Sequence, residues 1–133
     1  MTKKVKYLSS ILSPVFLEKL IDKITILEIK QMHMTGIKLK NVDKELKLLK
    51  NILQHKNLEI DIYLINNLKE VNKKIWEIED NIRIKESNQK FDKEFIQLAR
   101  SVYKENDKRA SIKKEINQKY NSELVEEKSY NNY

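Results

Sequence analysis

One glycine and one proline in 133 residues leave this chain few ways to turn sharply. Strands joined by tight turns draw on glycine for left-handed backbone and on proline for preset angles. A chain so poor in both is expected to fold into a few long helices and no sheet. The balance of 40% hydrophobic and 35% charged residues fits helices with one apolar stripe and one solvated face. A core built from such stripes is modest, and long helices of this kind often complete it against a second copy, so a homodimer is expected.

Other classes are narrowed by what is scarce. No cysteine is present, which excludes disulfides, thiolate metal sites and a cysteine nucleophile. The longest uncharged run, Tyr7 to Leu17, holds three serines and Pro14. It falls well short of the roughly 20 apolar residues of a membrane span. Lys3, Lys4 and Lys6 imitate the start of a signal peptide, but no small-residue cleavage site follows and Glu18 closes the run, so a cytoplasmic protein with no membrane partner is expected. The net charge of +7 sits in the first half: residues 1–57 carry 12 Lys and 5 acids, whereas residues 58–133 carry 15 bases and 15 acids. A basic half can grip phosphate backbones. The chain is crowded with Lys, Ile and Asn throughout, however, and lysine fills exposed helical positions by default. Nucleic acid is therefore not the favoured partner.

Helical spacing divides the chain into four segments of one domain, residues 1–133, with a basic lead at 1–12 and a tail at 121–133. Ser13-Pro14 reads as an N-cap followed by proline at the first helical position. Leu17, Leu20, Ile21, Ile24, Leu27 and Gln31 then step by threes and fours to about Met34, with Ile26 and Ile29 widening the apolar arc and Gly36 as the stop. Leu39, Val42, Leu46, Leu49 and Leu53 mark a second helix, with Asn41 as a late cap. The third spans roughly residues 59–87 on Ile65, Leu68, Val71, Ile75, Ile78 and Ile82. About 29 residues at 1.5 Å each would span about 43 Å. Asp92 caps a fourth, about 93–120, with Phe95, Leu98, Ala99, Val102, Tyr103, Ala110, Ile116 and Tyr120 inward. The short connections predict antiparallel hairpins, hence an all-α four-helix bundle with two long helices.

Chemistry-bearing residues concentrate between Trp76 and Arg109. The only Trp and all three Arg of the chain lie there, against 24 Lys. Arginine offers a rigid two-pronged fork for carboxylate or phosphate that lysine lacks. Trp76, Glu79, Asp80 and Arg83 share one helical face, and Glu79 can pair with Arg83 one turn on. Asn106 falls inside the inward stripe of the fourth helix, where a buried amide needs partners. Arg109 and Lys113 flank it, and Arg100 is expected to face the Trp76–Arg83 region. The first helix adds a polar strip of Asp22, Thr25 and Glu28. Together these could wall an anion-binding pocket, with the arginines taking the charge, Asn106 orienting, and Trp76 or Tyr103 covering a ring. The competing reading is a buried polar network that fixes helix register, with solvated charge pairs around it. His33 and His55 each lack a helical partner at ligand spacing, so no metal site is expected, and no cofactor. One glycine leaves no phosphate-binding loop.

Four blocks carry a resemblance: Leu20 to Lys30, Ile75 to Arg83, Leu98 to Tyr103 with Asn106 to Ala110, and Leu124 to Tyr130. They resemble, in order, a small uncharacterised bacterial family, one of the domains of unknown function, and cover about half of the chain. The resemblance implies an all-helical protein of cyanobacteria and other marine bacteria, often encoded near glycosyltransferases of surface-polysaccharide synthesis. It implies no established activity. A weaker similarity is to the helical chorismate mutases, which bind a dicarboxylate through Arg and Lys in a dimeric bundle. Their first helix supplies an Arg where this chain has only Lys19, Lys23 and Lys30.

The expectation is thus a non-catalytic accessory or binding protein with a polar anion site, linked to glycan synthesis, and a homodimer with an anionic small molecule or a protein as partner. A small enzyme acting on an anionic metabolite, with Glu79 or Asp80 as acid or base, is the second reading. A nucleic-acid binder using the Lys-rich first half is the third.

Overall fold

The structure, a computed structural model, describes residues 17–56 and 59–120. The expected Ser13-Pro14 helix start and the tail from Asn121 lie outside the described residues. Four helices account for most of them: α1 Leu17–His33, α2 Gly36–Gln54, α3 Ile62–Ser87 and α4 Lys93–Lys119. There is no strand among the described residues. The all-helical, two-hairpin architecture with two long helices is therefore the one expected.

The helix ends follow local chemistry. Asp92 caps α4 as predicted, its Oδ1 accepting from the Phe95 backbone N–H at 3.0 Å. Asp61 does the same for α3, accepting from Tyr63 N–H at 2.9 Å. That start is a few residues later than the expected one at 59. Past Ser87, Gln89 takes a left-handed φ of 53°. Lys90 N–H reaches back to the Lys85 carbonyl at 2.9 Å, and Gln89 N–H to that of Glu86 at 3.0 Å. These two bonds are the Schellman ending, here with Gln where glycine is usual. The second helix corrects the reading of Gly36 and Asn41: Gly36, with φ +64°, opens α2 right after the two-residue link Met34-Thr35, and Asn41 lies a full turn inside. The only glycine thus serves the sharp reversal between α1 and α2, where its freedom at positive φ is needed.

α1 lies in the middle of the molecule. On one side Leu20, Ile24 and Leu27 pack with Val42, Leu46 and Ile52 of α2. On the other, Leu17 and Ile21 pack with Leu64 and Leu68 of α3 and Ile116 of α4. This double role explains the wide apolar arc of α1, which a surface helix would not need. The base of the molecule is fastened by Tyr120: its hydroxyl accepts from Asp61 N–H at 2.7 Å and donates to the Glu59 carbonyl at 3.1 Å. Lys119 adds an ion pair to Asp61 at 2.7 Å.

α3 and α4 outrun α1. At about 1.5 Å per residue, 17 residues of α1 span about 25 Å and 26 residues of α3 about 39 Å. The excess projects as a two-helix hairpin. From Glu79 to Lys104 no residue is buried, and neither core cluster includes one. The predicted inward stripe of α4 is corrected accordingly: Ile116 is buried, Ala99 is exposed, and Tyr103 is 40% exposed. A third layer to bury that stripe is missing at this level. Lys85 holds the hairpin tip together through Asp92 at 2.9 Å and Glu94 at 2.8 Å.

The capping carboxylates make the fold acid-sensitive in a defined window. The Lys119 ammonium beside Asp61 and the Lys85 ammonium beside Asp92, each aided by the capped N–H, hold these carboxyls below their ordinary value of 3.8. A depressed folded-state pKa gives stability that is complete above the ordinary value and lost as pH falls through the lower one. The urea midpoint is expected to fall as the pH drops below about 4, and to fall less steeply in Asp61→Asn, whose cap no longer titrates. An unchanged slope would remove Asp61 from the acid response.

Candidate functional site

The residues singled out between Trp76 and Arg109 separate into three places. Asp22 and Arg109 meet in the body of the protein. Arg109 Nε donates to Asp22 Oδ1 at 3.0 Å, and its Nη2 donates to Oδ2 in a second, close bond. Asn72 completes the group, its Nδ2 donating to Asp22 Oδ1 at 2.8 Å and to Thr25 Oγ1 at 2.9 Å. The Thr25 hydroxyl donates in turn to the Asp22 backbone carbonyl at 2.7 Å. Asp22, Thr25 and Asn72 are all buried. The network joins α1, α3 and α4, and both prongs of the Arg109 fork are taken by Asp22. An anion would have to displace that carboxylate to reach it, so this cluster holds register as built.

Trp76 stands at the end of the body. Its ring stacks on His33, the last residue of α1, with centroids 4.9 Å apart and planes 19° off parallel. Trp76 Nε1 is buried with no hydrogen-bond partner among the described residues. Glu28 stands between α2 and α3, 3.7 Å from Lys50 of the one and 3.8 Å from Lys69 of the other.

Glu79, Asp80, Arg83, Arg100 and Tyr103 all lie on the projecting hairpin, and all are exposed. The antiparallel pairing places Lys74 against Glu105, at 3.5 Å, and Lys85 against Glu94. Arg100 is therefore level with Glu79 and Asp80, as the sequence suggested. The expected Glu79–Arg83 pair does not form: among the described residues Glu79, Asp80, Arg83 and Arg100 make no hydrogen bond or ion pair. Asn106 is only half-buried, a second correction. The fully buried polar residues are instead Glu18, Glu105 and Asn117, beside Asp22, Thr25 and Asn72.

A signal for some of these was available. Leu64, Leu68 and Asn72 step by fours, as do Ile21, Thr25 and Ile29, so a polar residue interrupts an apolar row in each helix. Glu105 and Asn117 carry no such mark. Glu105 is held by Lys74 and by Lys108, the latter at 3.1 Å, and lines an open groove of about 470 Å³ between α3 and α4. A second open groove, of about 560 Å³, runs along the projecting hairpin past Ile84, Lys85, Glu94 and Leu98. Among the described residues no three His, Asp or Glu side chains are grouped so as to hold a metal ion, and no helix is long and apolar enough to cross a membrane.

A family model described as a family of unknown function, DUF6165, matches residues 14–133. The chain belongs to this family. The match runs through the whole of α1 to α4, including the stretch from Thr35 to Asn67 that lies outside the resembling blocks. No curated protein and no solved structure matches the chain. For this DUF6165 protein the features available to a ligand or partner are therefore those of its own surface. The exposed Arg83 and Arg100 lie on the projecting hairpin, together with Ile84, Phe91, Ile96 and Tyr103 of the exposed large apolar residues.

Proposed function

We propose that this protein is a non-catalytic binding protein whose working surface is the projecting end of the α3–α4 hairpin, and that its partner is a macromolecule. One observation carries the reading. The stretch from Glu79 to Lys104 holds Ile82, Ile84, Phe91, Phe95, Ile96, Leu98, Val102 and Tyr103, and none is buried. Ile84 and Phe91 are each 57% exposed. Apolar residues gathered this way on a charged protein mark an interaction surface more often than an accident of composition. Arg83 and Arg100 stand beside them with their forks unengaged, ready for carboxylates on the partner.

The enzyme reading finds less support. An acid or base works best shielded from water and close to a bound substrate. Glu79 and Asp80 are exposed on the outside of a two-helix hairpin. The anion-site reading keeps Arg83 and Arg100 and loses Arg109 to Asp22.

A thermal-shift screen against nucleotide sugars, sugar phosphates, dicarboxylates and short DNA separates these readings. A ligand at about 100 times its Kd adds about 2.7 kcal/mol of stability, which such a screen detects. The expected result is no stabilisation across the panel. A shift produced by an anionic metabolite and abolished in Arg83→Ala would replace the macromolecular reading with a small-molecule site.

A further inference from the structure

We infer that the partner on the projecting hairpin is a second copy of this chain, the two hairpins packing antiparallel into a four-helix unit. The inference rests on the reading of that surface as a binding face and names its occupant. Two neighbouring helices can bury only the side chains between them. A stripe that turns outward at every level needs another layer, and two such hairpins laid face to face supply it for each other.

Charge selects a second copy over other occupants. The chain carries +7, yet residues 79–104 hold six bases and five acids, so this segment is close to neutral. Two copies meeting here gather no excess of like charge, whereas contact through residues 1–57, with 12 Lys and 5 acids, brings basic surfaces together. The unpaired charges are of both signs and lie at nearly one level. Arg100 is level with Asp80, and Arg83 lies one turn beyond Glu79, which is about 6 Å along the helix. None of the four has a partner among the described residues. A two-fold axis crossing the hairpin at this level sets the arginines of each copy against the acids of the other, in the bidentate geometry that Arg favours and Lys does not. Met32 and Ile37, 56% and 77% exposed, extend the apolar surface at the α1–α2 turn, at the same end of the body. The segments outside the described residues at the two termini join the chain at the opposite end, where Leu17 packs on Ile116.

The face is short. Nine residues of α3 follow Ile78, a length of about 13 Å, so the contact is smaller than a standard interface and the dimer should be weak, with a Kd on the order of tens of micromolar. Sedimentation equilibrium of the full chain tests it between about 1 and 300 µM. The expected result is a shift from the 16.0 kDa monomer toward twice that mass as concentration rises. Ile84→Glu with Ile96→Glu should hold the chain at the monomer mass at every concentration with its helical circular dichroism intact. Arg83→Glu with Arg100→Glu should weaken association at least tenfold, and adding Glu79→Arg and Asp80→Arg should restore it. That rescue by exchanged charges is one a merely unfolded hairpin cannot give. A monomer across the whole range overturns the inference, as does a dimer indifferent to both sets of substitutions. Either result leaves the broader reading to the ligand screen, and a metabolite hit in that screen leaves the mass measurement to stand alone.

Discussion

Replacing Arg109 with alanine is expected to lower the stability of the fold by about 3 kcal/mol, and the melting temperature by roughly 10 °C. The side chain of Asp22 is 7% exposed and would lose both bonds of the guanidinium fork, keeping Asn72 alone. A carboxylate left in that position is costly because no counter-charge replaces the lost partner. The Arg109 side chain is itself 30% exposed, so some water can enter, which sets the cost near the low end for broken buried pairs. Urea unfolding followed by circular dichroism measures it. Arg83→Ala, on the exposed hairpin, should change the same midpoint by no more than about 0.5 kcal/mol. A loss below 1 kcal/mol for Arg109→Ala would mean that the network is screened by solvent.

Leu68→Ala is expected to cost about 3–4 kcal/mol. Leu68 has no exposed surface and is surrounded by Leu17, Ile21, Leu64 and Ile116, which are themselves between 0% and 6% exposed. The removed atoms therefore leave a cavity that three helices line and none can easily fill. On the outer side of α2, Leu48 is 42% exposed, and Leu48→Ala should cost under about 1 kcal/mol. The urea midpoint should move while the slope of the transition stays constant. A loss near that of Leu48→Ala would show that α3 shifts to close the gap, and that the contact between the long hairpin and α1 is looser than the packing implies.

The helices were legible because their signals are local. Asp92, the break at Ser87 to Lys90 and the three-four rows of α1 and α2 all act within a turn or two of themselves. Gly36 misled for an equally local reason: a glycine after a helix is compatible with a stop, and only the tight reversal into α2 shows that it also opens the next helix. The polar residues were harder. Asp22 and Arg109 were both singled out, but their meeting depends on which helices cover the two sides of α1, which no periodicity within one helix reveals. Asn72, Thr25 and Asn117 look solvated by type and are buried by position. The same limit explains Val102 and Tyr103, which follow a core stripe perfectly well at a level where α1 has already ended.

The hairpin that runs past α1 is, in effect, a ruler. Its body end is locked by the Asp22–Arg109 network, and no residue from Glu79 to Lys104 contributes to either core cluster. Its tip is closed by Lys85, Asp92 and Glu94 and needs nothing from the body. Two turns can therefore be added to or removed from α3 and α4 together, one heptad in each, without disturbing the packing around α1. The reach of the protein is a quantity that drift in length can tune independently of its foldability.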